Sequence, residues 1–260
     1  MAEGAKLVAV NVGNSAMTFA RFEGDEPQPL RRFLHADLPA AVDAIVSASA
    51  EKQCDGVVVA SVHGKMRDAL LDALIPKLDA ELYRVGDDLH IPINHTLSDA
   101  AIARTGQDRL LNALAAHRVC GAAAMIIDAG TAITVDFVDG EGTFHGGAIA
   151  PGARMSLRAM HEHAPALPAI ELHAPDQAHF GADTEQAMLQ GMYYGAQGLV
   201  HRLLERYAEA AGFYPPVIAT GGDAALLFDS DPIVERIVPD LTLRGIAYAC
   251  RAALADDVSA

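Results

Sequence analysis

The sequence has few cysteines and few basic residues, and each shortage excludes a class of protein. Its three cysteines, Cys54, Cys120 and Cys250, lie far apart and form no CxxC pair, which argues against a disulfide framework or a zinc ribbon. We expect them to be reduced thiols of a cytoplasmic protein. Lysine and arginine number 19 against 34 acidic residues, for a formal net charge of -15. This balance excludes a broad surface for nucleic acid or anionic membranes, although a local site for a small anion can still be positive.

Long apolar runs are also lacking. No stretch approaches the roughly 20 residues of a membrane-spanning helix, and no basic segment followed by an apolar one marks a signal peptide near the N-terminus. A metal pair is not expected either, because His161 and His163 are only two residues apart near a predicted helix end. What is present is a chain of 260 residues, 51% of them hydrophobic. It is long enough for one large domain or two smaller ones.

The stretch 125–136 combines two β-rich runs with a polar turn between them. Residues 125–127 predict a buried strand, Asp128 stands at its exit, and Gly130 permits a tight turn into the next strand. A carboxylate beside the backbone N–H groups and hydroxyl of Gly130 and Thr131 could hold a phosphate and a cation together. An ordinary hairpin turn accounts for the same residues, since Asp and Gly are common there.

A second strand–turn–strand pattern occurs at residues 7–22, with a small polar turn at 13–15. Two such units more than a hundred residues apart predict two similar domains. We place the first domain at 1–118 and the second at 119–260, because the pattern changes near Cys120. A helix over about 242–254 is expected to complete the second domain.

Residues 106–109 read Gly-Gln-Asp-Arg and precede a strong helix-forming run. A capped helix start explains Asp108, because the helix dipole favours an acid there, but the dipole disfavours Arg109. The alternative is a site in which Asp108 takes a proton and Arg109 grips an anionic group.

Three glycine-rich stretches follow. Residues 146–152 end a predicted strand before a helix over 153–161, and 217–223 form a buried strand that ends in a diglycine turn suited to a nucleotide. A long helix is expected over 185–211. Its glycines at positions 191, 195 and 198 indicate close packing or binding, since each costs roughly 0.5–1 kcal/mol relative to alanine. The irregular segment 164–182 between them is long enough to have a function.

These motifs, taken in order, resemble those of type III pantothenate kinases. They are Asn-Val-Gly-Asn-Ser (11–15), Gly-Gln-Asp-Arg (106–109), Asp-Ala-Gly-Thr-Ala-Ile-Thr (128–134), Gly-Gly-Ala-Ile-Ala-Pro-Gly (146–152), Thr184 and Thr-Gly-Gly (220–222). The resemblance implies an α/β fold of two ribonuclease-H-like domains, as in actin-like ATPases and sugar kinases, with an interdomain nucleotide cleft. It implies ATP-dependent phosphorylation of pantothenate to 4'-phosphopantothenate, the first step of coenzyme A biosynthesis. It further implies a homodimer that needs Mg²⁺ or another divalent cation and a monovalent K⁺ or NH₄⁺.

The resemblance also implies a role for each matching residue. Asp108 is the proton acceptor for the pantothenate hydroxyl, Asp128 binds the monovalent cation and Thr131 contacts ATP. Pantothenate is bound by Gly106, Gln107, Asp108, Arg109 and Thr184. The first phosphate loop consists of Asn11, Val12, Gly13, Asn14, Ser15, Ala16, Met17 and Thr18. The homodimer contact is expected in the long helix 185–211, which carries Met188, Leu189, Met192, Tyr193 and Tyr194.

Two features depart from the family pattern. Asn11 replaces the aspartate that begins the first loop and helps hold the magnesium shell, so it retains an oxygen ligand but loses the charge. A tyrosine upstream of the Gly-x-Asp-Arg motif has no clear match in 87–105. A catalytically weak or inactive member with a ligand-binding or regulatory role is therefore an alternative. A kinase of the same fold with another substrate is a second alternative, because fold alone does not define the substrate.

Overall fold

The structure is a computed structural model that describes residues 6–51, 54–176 and 178–259. In chain order, the elements up to residue 120 are β1 (Lys6–Val12), β2 (Ala16–Glu23), β3 (Glu26–Pro27), β4 (Arg31–Leu34), α1 (Leu38–Ala50), β5 (Gly56–Ser61), α2 (Gly64–Leu74), β6 (Leu82–Arg84), β7 (Asn94–His95), α3 (Asp99–Ile102) and α4 (Gln107–Cys120). The remaining elements are β8 (Ala124–Ala129), β9 (Ala132–Val138), β10 (Thr143–Pro151), α5 (Ala153–His163), α6 (Thr184–Ala211), β11 (Val217–Thr220), α7 (Ala224–Phe228), β12 (Arg236–Ile237) and α8 (Leu241–Ser259).

The described chain divides into two compact units. Unit 1 comprises residues 6–119 together with 240–259, and unit 2 comprises residues 120–239. Each unit contains its own mixed β-sheet. None of the helices formed by the described residues is long and apolar enough to cross a membrane.

The sheet of unit 1 has the strand order β3-β2-β1-β5-β6, and β4 pairs with β2. β1 is antiparallel to β2, which is antiparallel to β4, while β5 and β6 run parallel to β1. The carboxyl ends of β1, β4, β5 and β6 therefore lie at one edge of the sheet. Successive residues of β1 point to opposite faces and both faces are covered, so the strand is apolar almost throughout. Val8 and Val10 pack against α1 and α2, and Leu7 and Ala9 pack with residues of α4 and α8.

The last helix corrects one expectation. α8 was predicted to complete the second domain, but it packs on the sheet of unit 1, where Leu243, Ile246 and Cys250 join the core that contains Leu7. A Cβ atom at Gly245 would overlap the backbone of Leu111, so α8 also lies directly on α4. The apolar period of this helix predicts a buried face, but it does not indicate which sheet covers that face.

The sheet of unit 2 has the strand order β12-β11-β8-β9-β10. β8 is antiparallel to β9 and parallel to β11, which repeats the arrangement of β1 with β2 and β5. The expected internal repetition is therefore present. The core of this unit joins Met125 and Ile127 of β8 to Leu189 and Val200 of α6 and to Leu227 of α7.

Candidate active site

The carboxyl edge of the unit 1 sheet collects the predicted first phosphate loop. Residues 13–15 form the turn between β1 and β2, which closes where the Gly13 N–H donates to the Ala16 carbonyl at 3.0 Å. Asn11 stands near the end of β1, half-buried, with Thr18 and Ala60 opposite it on the neighbouring strands. In α/β sheets, ligands bind outside the carboxyl ends of the parallel strands, which is where this loop lies.

Gln107 fastens the start of α4 to the same edge. Its Oε1 accepts a hydrogen bond from the Ser61 N–H at 3.3 Å, and its Nε2 donates to the Val85 carbonyl at 2.8 Å. Gly86 has a φ of +91°, and a Cβ atom there would overlap Gln107 Nε2. Both ends of the Gln107 amide therefore bond to backbone at the ends of β5 and β6. The sequence pattern did not anticipate this, because strand ends brought together by the sheet are distant in the chain.

Asp108 is the first-turn acid of α4. Its carboxylate accepts a hydrogen bond from the Arg109 N–H at 2.8 Å. Burial raises the pKa of the Asp108 carboxyl above its usual range, and this hydrogen bond and the charge of Arg109 partly oppose that rise. A Cβ atom at Gly106 would crowd Asp108 Oδ1, so the glycine leaves room for the carboxylate. A carboxylate with a raised pKa holds a transferred proton better than an ordinary aspartate does.

The second group of predicted residues lies at the end of β8 in unit 2. The turn after Asp128 closes where the Gly130 N–H donates to the Ala132 carbonyl at 2.9 Å. Gly130 is not among the glycines with positive φ, and a Cβ atom there would meet Asp128 Oδ1 at 3.7 Å, an ordinary contact. Gly130 therefore permits this turn, but the turn does not require glycine on steric grounds.

The residues near this turn that must be glycine for steric reasons come from other parts of the chain. Gly221 has a φ of +95°, and a Cβ atom there would overlap the Ala129 carbonyl and crowd Asp128 Oδ1. A Cβ atom at Gly152 would overlap the carbonyl groups of Gly130 and Thr131. The diglycine turn after β11 and the start of α5 thus approach the Asp128–Thr131 backbone closely. The structure brings the motifs at 128–134, 146–152 and 220–222 together.

Asp223 and Arg154 also belong to this group, and the sequence analysis did not single them out. The Asp223 N–H donates to the Ala129 carbonyl at 2.9 Å, and its buried carboxylate accepts from Arg154 Nε at 2.8 Å. Arg154 is in the first turn of α5. The only sequence signal was the position of Asp223 directly after the two glycines.

Thr184 occupies the start of α6, in unit 2. Asp183 is the N-cap residue, and its side chain accepts a hydrogen bond from the Gln186 N–H at 2.8 Å. A Cβ atom at Gly181 would overlap the backbone of Ala187, so the end of the 164–182 segment lies tightly against the first turn of α6. Thr184 itself is exposed.

Within the described residues, no group of three or more His, Cys, Asp or Glu side chains is placed to hold a metal ion. The oxygen donors at the two motif sites are instead the amide of Asn11 and the carboxylate of Asp128. A single oxygen ligand such as the Asn11 amide suits a Mg²⁺ ion that takes its other ligands from water and substrate phosphates.

Comparison with known proteins places these motifs in a family. A family model described as type III pantothenate kinase matches residues 7–206. The chain is 31% identical to the type III pantothenate kinase of Agathobacter rectalis, over 94% of this chain and 96% of that one. It is 45% identical to the type III pantothenate kinase of Acidiphilium cryptum over 144 residues, which span 55% of this chain and 54% of that relative.

The fold is also found among solved structures. The activator of the 2-hydroxyisocaproyl-CoA dehydratase from Clostridium difficile, solved with bound ADPNP, aligns over 98% of both chains with a TM-score of 0.53 at 13% sequence identity. At this identity the likeness concerns the fold alone, and it confirms the predicted actin-like class of α/β fold. The family match extends over most of the chain, from β1 into α6, and includes the motifs around Asp108 and Asp128. The chain is therefore a kinase that belongs to the type III pantothenate kinase family.

Proposed function

We propose that this kinase phosphorylates pantothenate with ATP, with Asp108 as the proton acceptor for the pantothenate hydroxyl. The observation that carries the proposal is the position of the half-buried Asp108 carboxyl at the start of α4, where it accepts from the Arg109 N–H; burial there raises its pKa. A base of this kind typically contributes about 10²–10⁴ in rate. The names of the relatives support pantothenate as the substrate. The reaction would be the first step of coenzyme A biosynthesis, in a cytoplasmic enzyme.

The residues at the two sheet edges supply the other parts that phosphoryl transfer needs, which are positioning and neutralisation of charge. The backbone of the first phosphate loop, residues 11–18, and the hydroxyl of Thr131 would contact the ATP phosphates. Mg²⁺, when bound, neutralises phosphate charge, and Asn11 would supply an oxygen to its shell. Asp128 would hold K⁺ or NH₄⁺. A guanidinium binds a carboxylate in a two-point contact, so Arg109 would bind the pantothenate carboxylate, with Gly106 and Thr184 completing the contacts.

An inactive family member that only binds ligand is the second candidate, and Asn11 is the observation that favours it. An amide still provides an oxygen ligand, and the chain retains Asp108, Arg109, Asp128 and Thr131, which supports an active enzyme. The family match also argues for activity, so we favour the active enzyme. Reduced affinity for Mg²⁺ is the consequence we expect from Asn11.

The proposed enzyme is a homodimer. Of the residues expected at its contact, Met188, Leu189 and Tyr193 are instead buried in the core of unit 2 and Met192 packs against that core, so the contact would use an exposed face of α6. Gly191, Tyr194, Gly195, Gly198 and Leu199 are exposed and recur at helical spacing. A Cβ atom at any of these three glycines would have nothing within 4 Å, so packing within the described chain does not require them. Small residues on an exposed helix let a second backbone approach closely.

The decisive experiment is a coupled assay that follows ADP release with and without pantothenate, Mg²⁺ and K⁺. The proposal expects turnover that depends on pantothenate and Mg²⁺ and that rises with K⁺ or NH₄⁺. Absence of pantothenate-dependent turnover with every cation would reject the proposed activity and leave the ligand-binding member and a kinase for another substrate as the alternatives.

A further inference from the structure

His35 is joined to the first phosphate loop although it is 22 residues away in the chain. It begins a short 3₁₀ turn at 35–37, directly after β4. Its Nε2 lies 3.0 Å from the Gly13 carbonyl oxygen. A carbonyl oxygen can only accept, so the Nε2 atom carries the proton and donates it. Because β4 runs parallel to β1, the sheet itself brings His35 to the edge where the loop turns.

This hydrogen bond fixes more than one atom of the loop. The Gly13 carbonyl and the Asn14 N–H belong to the same planar trans peptide, so they point in opposite directions. Holding the carbonyl on the His35 side turns the Asn14 N–H away from His35. A bond accepted by the carbonyl also polarises the peptide and strengthens the N–H as a donor. Asn14 and Ser15 are exposed at the tip of the turn.

The His35 ring is itself held in place by a second histidine. The rings of His35 and His63 meet edge to face, with centroids 5.0 Å apart and an interplanar angle of 78°. His63 is fixed at the start of α2, where its Nδ1 accepts from the Met66 N–H at 3.1 Å. The His63 N–H also donates to Ser61 Oγ at 3.0 Å. A ring with an immobile neighbour loses less conformational freedom when it makes a hydrogen bond.

We infer that His35 is a positioning residue for the nucleotide, because it orients the Gly13–Asn14 peptide and thereby presents the Asn14 N–H to an ATP phosphate. The inference rests on the proposed function, in which residues 11–18 form the first phosphate loop. It assigns His35 no part in proton transfer and no contact with pantothenate.

The test distinguishes the hydrogen bond donated by His35 Nε2 from the packing of the His35 ring against His63. His35→Gln keeps an N–H donor close to the position of Nε2 but loses the ring, whereas His35→Phe keeps a ring against His63 but has no donor. The affinity for a non-hydrolysable ATP analogue with Mg²⁺ is measured by calorimetry without pantothenate, and thermal melting reports on folding. His163→Phe, at an exposed histidine at the end of α5, is the matched control.

We expect His35→Phe to bind the analogue about three- to ten-fold more weakly, the range that corresponds to one net hydrogen bond. His35→Gln should stay within about two-fold of the wild type by the same reasoning, and the KM for pantothenate should change in neither variant. Equal affinity of His35→Phe and the wild type, or equal weakening in both variants, overturns the inference. If His35→Phe does not fold, His35→Leu replaces it under the same criteria. Failure of the proposed function would appear separately, as a wild-type protein without pantothenate turnover.

Discussion

At the scale of single residues, the role as a base that we propose for Asp108 has an energetic cost. Burial disfavours its charged form, and the backbone N–H of Arg109 offsets only part of that penalty. Since the pKa is raised in the folded state, the contribution of this group to stability is fully present below its unfolded value of about 3.9 and is lost as the pH rises through the folded pKa. At neutral pH the ionised carboxylate therefore destabilises the fold, a cost that the proposed role as a base would explain.

We predict that Asp108→Asn abolishes phosphorylation, by a factor of about 10² or more, while it raises the melting temperature at pH 7. The amide cannot accept the proton, but it avoids the cost of a buried charge and can still accept from the Arg109 N–H. The gain should shrink as the pH is lowered towards 4, where the wild-type carboxyl becomes neutral. Turnover and thermal melts over pH 4–8 measure both effects. Near-normal turnover by the folded variant would exclude Asp108 as the base.

Asn11 leads to a second prediction at this scale, because it is half-buried beside the first phosphate loop. Asn11→Asp should lower the Mg²⁺ concentration that gives the half-maximal rate. A carboxylate at this position adds a full negative charge, and partial burial strengthens its attraction to Mg²⁺. We expect this attraction to exceed the repulsion between the new charge and the ATP phosphates, because the ion is the largest local charge. Magnesium titrations of the pantothenate-dependent rate compare the two proteins, with Asn94→Asp, at an exposed asparagine, as the charge-matched control. An unchanged or higher requirement in Asn11→Asp would show that this position does not help to hold the ion.

At the scale of elements, local patterns and long-range contacts differ in what they reveal. The sequence predicted a helix directly after residues 106–109, and α4 begins at Gln107. The two hairpins are confirmed as antiparallel pairs. Both kinds of element depend on neighbours in the sequence. The roles of the glycines could not be predicted in this way. Gly130 lies in the predicted turn without a steric need for glycine, whereas Gly221 is the residue that backbone from another strand forces to be small. Likewise, Gln107 and His35 act on strand ends that only the folded sheet brings near.

α6 gives the prediction at this scale. Gly195→Glu should convert the expected dimer into a monomer, because a charged side chain on the exposed glycine face would separate two closely packed helices. Gly195→Ala should leave a monomer more stable by roughly 0.5–1 kcal/mol, but should weaken a dimer that uses this face. Light scattering at micromolar concentration measures the state of each variant, with Ala210→Glu on the exposed last turn as control. A wild type that is already monomeric would contradict the dimer itself.

At the scale of the whole molecule, one of the two compact units is built from two separate segments of the chain. The sequence indicates a change of pattern near Cys120, but unit 1 also contains the segment from 240 onward. The apolar face of a helix does not indicate which sheet it will pack against. Residue patterns alone therefore could not assign α8 to unit 1. The assignment depends on contacts such as that between Gly245 and Leu111, which are more than a hundred residues apart in the chain.

This arrangement predicts that removal of α8 unfolds unit 1, although the deleted residues are distant in sequence from its first strands. A chain ending at Pro239 loses the buried side chains of Leu241, Leu243 and Ile246, which contribute about 1.5–3 kcal/mol each. It also exposes the apolar face of β1 and β5 to water. The total loss approaches the 5–15 kcal/mol of an entire domain. Urea unfolding of the truncated protein should therefore lack the transition of unit 1, whereas Ala253→Ser in the full chain should change it little. A truncated chain that retains both transitions and binds an ATP analogue would show that α8 is dispensable for unit 1.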